Sequence, residues 1–112
     1  MKTINQFFLL FILLLVFGCG ISVPEDKLDY VGEWKSGTMY LSIKQDGSVN
    51  YKRIKGSATT TVSAPLKRFV GDNFEVGIGM FTTTFVVNKP PFKAATQWTM
   101  TVDGIELVKS NT

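Results

Sequence analysis

Alternation of apolar and polar residues is the dominant pattern after the first thirty residues of this chain. Met39, Leu41 and Ile43 alternate with more polar neighbours, as in a strand with one buried face. Similar patterns cover 66–70 and 74–87, and the second of these is interpreted as a continuing strand. No segment after the first nineteen residues has a sustained helical period. The pattern predicts an all-β fold, a small antiparallel β-barrel or β-sandwich of six to eight strands in a meander, preceded by an N-terminal signal helix.

Two turns can be assigned by asking which loop length keeps the apolar residues on one face. At 45–47, a three-residue loop with its glycine in the left-handed conformation pairs Ile43 with Val49, whereas a two-residue loop mixes the faces. At 103–104 the same test favours a two-residue type I′ loop. Both hairpins are therefore predicted with a defined register.

Glycines and prolines interrupt the strand pattern in the middle of the chain. Gly77 and Gly79 face the same side of a predicted strand, which indicates a sharp bend or a close backbone approach. Pro65 predicts an edge or a break in its strand. Lys89-Pro90-Pro91 predicts the end of another strand, because proline cannot donate a hydrogen bond to a sheet.

The first nineteen residues have a different pattern, a basic start followed by an apolar run. Lys2 precedes an unbroken apolar stretch at 7–17, and Gly18 precedes Cys19, the only cysteine of the chain. This order is typical of a secretory signal peptide. The run is shorter than the roughly 20 residues of a transmembrane helix. A plain secretory signal is the other alternative, but it leaves Cys19 as an odd thiol.

The end of this leader, Val16-Phe17-Gly18-Cys19, resembles the lipobox of bacterial lipoproteins. The resemblance implies cleavage before the cysteine and acylation of its thiol, with more than one acyl chain for stable anchoring. It divides the chain into a signal peptide at 1–18, a lipidated N-terminus and linker at 19–29, and an all-β domain at 30–112. The protein is then expected in the cell envelope, attached to a membrane through its lipid.

The residue after the cysteine bears on which membrane holds the anchor. In lipoproteins of Gram-negative cells, an aspartate at that position marks retention in the inner membrane. This chain has Gly20 there. The resemblance therefore favours the outer membrane, facing the periplasm, if the source is Gram-negative.

Composition and motif searches argue against several functional classes. The formal net charge of +3 is too small to indicate a nucleic-acid partner. The chain has no histidine, so His-based catalytic triads and imidazole metal ligands are excluded. Asp46, Asp72 and Asp103 each lie beside a glycine in a predicted turn, where aspartate forms local backbone hydrogen bonds. We therefore expect a non-enzymatic protein without a cofactor or a metal site.

A short motif lies at the start of the first predicted strand. Gly32-Glu33-Trp34 resembles the Gly-x-Trp signature of lipocalins and lipocalin-like domains. In that family the tryptophan closes one end of an up-and-down barrel, which binds small apolar ligands in its mouth. The alternative is that Trp34 is a core aromatic residue without a family-specific role.

Five cations of the predicted strands form a candidate binding site, namely Lys52, Arg53, Lys55, Lys67 and Arg68. If their strands are neighbours, they make one basic patch for an anionic partner, either lipid head groups or an acidic protein. The alternative is an ordinary charged strand surface that opposes aggregation.

The expected function combines the anchor with this surface. The first hypothesis is a lipid-anchored, non-enzymatic envelope lipoprotein that binds another macromolecule. Small bacterial lipoproteins that inhibit lysozymes or neutralise toxins are similar in scale and anchoring. The alternative is a lipocalin-like carrier of a small apolar ligand.

Overall fold

The computed structural model describes residues 20–110, which form one short 3-10 helix followed by nine β-strands. The helix covers Glu25–Tyr30. The strands are β1 (Gly32–Lys35), β2 (Met39–Ile43), β3 (Ser48–Lys55), β4 (Ala58–Val70), β5 (Asn73–Ile78), β6 (Phe81–Phe85), β7 (Val87–Ala94), β8 (Gln97–Val102) and β9 (Ile105–Lys109). The predicted signal helix and Cys19 lie outside the described residues.

All nine strands belong to one curled antiparallel sheet, in the order β6-β5-β4-β3-β2-β1-β9-β8-β7. Strands β1 to β6 form one meander, and β7 to β9 form a second. Pairing of β1 with β9 joins the two meanders. The predicted all-β antiparallel class is confirmed, but the described residues contain nine strands rather than six to eight.

The two edge strands of the sheet, β6 and β7, are consecutive in the chain and are separated only by Val86. Asp103 holds this junction, since its carboxylate accepts a hydrogen bond from the Val86 amide at 3.0 Å and its own amide donates to the Val86 carbonyl at 2.8 Å. The Asn73 side chain accepts another bond from the Val87 amide at 2.8 Å. The sheet therefore curls into a half-barrel around its core.

Apolar side chains from the concave face fill the half-barrel. Trp34, Leu41 and Phe74, on β1, β2 and β5, are fully buried. Phe74 stacks on Phe85 with 4.9 Å between ring centroids, and Tyr51 meets Phe85 edge-on at 4.9 Å. Offset and edge-on contacts are the favoured arrangements of aromatic pairs. The interior is therefore packed with side chains.

Both predicted hairpin turns are confirmed. Gly47 has φ +94°, its amide donates to the Lys44 carbonyl at 3.0 Å, and Ile43 pairs with Val49 as predicted. At the other turn, positive φ at both loop residues, 103 and 104, gives the type I′ form. Period-two patterning sets these registers because a shift of one residue would expose the apolar face.

The stretch at 74–87, expected to be continuing strand, contains a hairpin. Strand β5 ends at Ile78, which pairs with Phe81 across the two-residue turn Gly79–Met80. Gly77 has φ +155°, and a β-carbon there would collide with the Phe81 carbonyl. The close backbone approach predicted from the glycines is confirmed, and the extra turn raises the strand count.

The prolines do not end their strands as expected. Pro65 lies inside β4, where the strand stops pairing with β3 and begins to pair with β5. Pro90 and Pro91 lie inside β7, an edge strand whose pairing with β8 shifts register around them. Missing donors are tolerated at an exchange of partners and at a sheet edge.

Residues 20–29, predicted as part of the linker, are packed on the sheet. The Ile21 amide donates to the Leu66 carbonyl at 3.3 Å, and the Val23 amide donates to the Gln45 carbonyl at 2.9 Å. The 3-10 helix follows and ends with Tyr30, which is buried. No helix among residues 20–110 has both the length and the apolar character needed to cross a membrane.

Candidate functional site

The structure divides the five predicted patch cations into two groups. Lys52, Arg53 and Lys55 lie on β3, opposite the first residues of β4. Lys67 and Arg68 lie beyond Pro65, where β4 has exchanged its partner for β5. Lys52 pairs with Thr61, so six residues, roughly 20 Å of extended strand, separate that level from Lys67. The sequence could not show this separation, because knowing which strands are neighbours does not give the register in which they pair.

A lysine that the sequence reasoning missed joins the first group. Lys35 pairs with Tyr40, and Tyr40 pairs with Lys52, so the three side chains form a row across β1, β2 and β3. The Lys35 ammonium lies 5.8 Å from the centre of the Tyr40 ring. We call Lys35, Tyr40 and Lys52 the basic row. The pairing of β1, β2 and β3 places these three side chains side by side, and the sequence alone does not give that pairing.

A groove of about 210 Å³ opens beside the basic row. It is lined by the row itself and by residues of the β1–β2 loop, together with Met39 and Ile54. Ile54 is 41% exposed, so the groove offers apolar as well as cationic contacts. Within residues 20–110, neither Lys35 nor Lys52 has a carboxylate partner within ion-pair distance. The groove is therefore suited to a ligand that carries negative charge.

Arg53 lies on the opposite face of the same strand. It pairs with Met39, which is buried, and its Nε atom is buried without a hydrogen-bond partner among the described residues. A buried donor without a partner is destabilising, so such a group commonly contacts water or an anion. Lys55 lies at the end of β3 and is exposed.

The second group has partners of its own. The Lys67 ammonium donates to the Gly79 carbonyl at 2.7 Å and to the Thr82 hydroxyl at 2.9 Å. Arg68 lies 3.5 Å from the Glu75 carboxylate. Both cations therefore support the β5–β6 region.

Trp34, the tryptophan of the lipocalin-like motif, lies in a second cluster of polar contacts. Its indole nitrogen donates to the Tyr30 carbonyl at 2.9 Å. The Lys109 ammonium lies 4.8 Å from the Trp34 ring centre and 4.9 Å from that of Trp98, and donates to the Asp29 carbonyl at 2.9 Å. Burial lowers the pKa of Lys109, and the Asp29 charge opposes this shift. Period-two patterning from Leu107 could have placed Lys109 on the inner face.

Of the three turn aspartates, Asp46 makes the local backbone hydrogen bond predicted for all three, whereas the side chains of Asp72 and Asp103 contact residues distant in the sequence. Asp46 accepts a hydrogen bond from the Ser48 amide at 2.9 Å, and this contact lowers the pKa of its carboxyl group. Asp103 binds the Val86 amide, and Asp72 lies 4.0 Å from the Lys27 ammonium. Residues 20–110 contain no group of three potential metal-binding side chains.

Comparison with known proteins identifies no relative. No protein-family model matches the sequence, and neither a curated protein nor a solved structure is significantly similar to the chain.

Proposed function

We propose that this chain is a lipid-anchored lipoprotein of the bacterial cell envelope that binds another macromolecule and performs no catalysis. The anchor is Cys19, whose thiol is acylated after removal of residues 1–18. The observation that carries the proposal is the leader, in which the apolar run at 7–17 ends directly before Gly18 and the single cysteine. Outer-membrane attachment, facing the periplasm, follows from Gly20 if the cell is Gram-negative.

Metabolic labelling tests the anchor. Cells that express the full chain are grown with an alkyne analogue of palmitate, and the purified protein is examined by mass spectrometry. We expect a labelled N-terminal Cys19 and no residues 1–18. The Cys19→Ser variant should carry no label and should leave the membrane fraction. An unlabelled native protein, or one that keeps its leader, contradicts the proposal.

The basic row is the proposed contact for the macromolecular partner. Lys35 and Lys52 flank Tyr40 beside a groove that also exposes Ile54. A tyrosine and an aliphatic side chain add apolar contact area to the charge of the two lysines, a mixture that is frequent at protein interfaces. Charge of this kind increases association rates with an anionic surface and makes binding sensitive to salt.

A photo-crosslinking amino acid at Ile54 tests this contact in living cells. We expect an adduct with an envelope macromolecule, its loss in the Lys35→Glu, Lys52→Glu double variant, and its retention in Lys89→Glu. Lys89 is an exposed lysine of β7 and provides a matched charge reversal away from the row. An adduct that survives reversal of both row lysines would show that these lysines do not hold the partner.

A lipocalin-like carrier is the alternative. Two observations favour it: the barrel-like order of the strands, and the position of Trp34 in a cluster that includes the 3-10 helix and the last strand. The packed interior gives it no support, since a carrier needs an apolar cavity of roughly 300 Å³ or more. Titration with an environment-sensitive apolar dye separates the two functions, because saturable binding of one dye per chain is expected only of a carrier.

A further inference from the structure

The β5–β6 hairpin ends in three strongly exposed apolar side chains. Ile78 is 66% exposed, Met80 is 89% exposed and Phe81 is 79% exposed. We call these three residues the apolar tip. They lie within four consecutive positions, so they form one local projection and not scattered surface residues. Clustered apolar exposure of this kind commonly marks a contact with a protein or a membrane.

The tip has a defined geometry. Gly79 and Met80 form the turn, with φ +62° at Gly79. The Lys67 ammonium donates both to the Gly79 carbonyl and to the Thr82 hydroxyl, on either side of Met80 and Phe81. These two hydrogen bonds fix the turn and hold a cation close to the apolar side chains. The arrangement combines apolar residues with an adjacent positive charge, as interfacial membrane segments do.

The described chain begins next to the tip. A groove of about 270 Å³ is shared by Gly20 and Ile21 on one side and by Ile78 and Gly79 on the other. Gly20 packs so closely that a β-carbon there would lie 2.7 Å from Pro65. Gly20 follows Cys19 directly. A lipid carried by Cys19 would therefore leave the domain on the side where the tip projects.

We infer that the apolar tip inserts into the surface of the lipid bilayer that holds the anchor. This inference rests on the proposed acylation of Cys19. Ile78, Met80 and Phe81 would enter the boundary between head groups and acyl chains, and Lys67 and Arg68 would lie near the lipid phosphates. The anchor and the tip then form two points of attachment, which restrict rotation of the domain about its tether.

Single-cysteine labelling measures the insertion. Acylation consumes the thiol of Cys19, so a Met80→Cys variant of the full, processed protein has one reactive thiol. It is labelled with a polarity-sensitive fluorophore and reconstituted into vesicles of phosphatidylethanolamine and phosphatidylglycerol. Ser57→Cys, in the exposed turn between β3 and β4, is the matched control. Retention of the acyl chains is verified by mass spectrometry on the same samples.

We expect blue-shifted emission at position 80 and quenching by brominated lipids, at a depth of about 5–10 Å below the head groups. The label at position 57 should be quenched by aqueous iodide. Adding Phe81→Asp to Met80→Cys should return its label to water, whereas Thr96→Asp, in the exposed turn between β7 and β8, should leave it buried.

Three results overturn the inference or its premise, and they can be told apart. A water-exposed label at position 80 on acylated protein disproves insertion and leaves the anchor intact. Protection of that label in native envelopes but not in vesicles indicates a protein partner and disproves the lipid contact. Absence of acyl chains disproves the proposed anchor itself.

Discussion

Tyr30 connects the 3-10 helix to the sheet through one buried phenol. Its hydroxyl group donates to the Asp72 carbonyl at 2.8 Å, and its ring meets Phe69 and Phe74 edge-on. Burial, and then the charge of Asp72, raise the pKa of Tyr30 from 10.0 to about 12. The folded protein therefore favours the neutral phenol more strongly than the unfolded chain does.

This displaced pKa predicts a loss of stability in alkali. Below pH 10 the phenol is neutral in both states, so its contribution is complete. Between about pH 10 and 12 the unfolded chain ionises first, and the free energy of unfolding falls by at most about 1.4 kcal/mol per pH unit. Urea unfolding of wild type and Tyr30→Phe between pH 8 and 11.5 measures the effect. The advantage of wild type should shrink as pH rises, and an unchanged difference would contradict the assignment.

Lys109 is the other residue with a contact that can be tested alone. Its ammonium group lies against two indole rings and donates to the Asp29 carbonyl. We expect Lys109→Met to lower the free energy of unfolding by about 1 kcal/mol, through loss of the cation–π and hydrogen-bond contacts. Tryptophan emission should shift as well. Lys89→Met, an exposed position of β7 that pairs with Thr101, should change neither quantity. If Lys109→Met is as stable as wild type, these contacts make no net contribution to stability.

At the scale of elements, the β5–β6 hairpin depends on Gly77. Its φ of +155° and the close approach of the Phe81 carbonyl both exclude a β-carbon. Gly77→Ala should therefore lower the free energy of unfolding by about 2–3 kcal/mol. Gly71→Ala is the control, since Gly71 has φ +61° but open space around it, and should lose about 1 kcal/mol. Denaturant unfolding of both variants measures the difference, and equal losses would mean that the Phe81 carbonyl moves aside freely.

The sequence was informative about elements where patterning and turn chemistry agreed. At the 45–47 and 103–104 loops only one register keeps the apolar face intact, and the structure has that register. The Gly79–Met80 turn was missed because apolar residues continue on both sides of it, so no polar interruption separates β5 from β6. Pro65 was misread because a strand that exchanges partners needs no donor at that point.

The candidate site was less predictable than the elements, because it depends on strand pairing. Lys52 and Lys67 lie on neighbouring strands, but a partner exchange in β4 separates them. Lys35 joins Lys52 only through the pairing of β1, β2 and β3. Sequence alone identifies cations on strands, whereas register decides which of them share a surface.

At the scale of the whole molecule, two surfaces with different chemistry lie on different strands. The basic row spans β1 to β3, whereas the apolar tip belongs to β5 and β6, and β4 lies between them. The row is proposed to bind an anionic macromolecule, and the tip is proposed to enter lipid. If both surfaces instead belonged to one continuous membrane contact, substitutions in the basic row would also affect insertion of the apolar tip. The independence of the two surfaces can therefore be tested.

We expect charge changes at the two surfaces to act separately, as substitutions without shared contacts usually do. Lys35→Glu with Lys52→Glu should abolish the crosslink at Ile54 but leave the emission of a label at position 80 unchanged. Phe81→Asp should release that label into water and preserve the crosslink. The same charge variants are used for both readouts, the crosslink in cells and the label in vesicles. If reversal of the row lysines alone also releases the label, the row is a lipid contact, and the separate binding site for a macromolecule has to be abandoned.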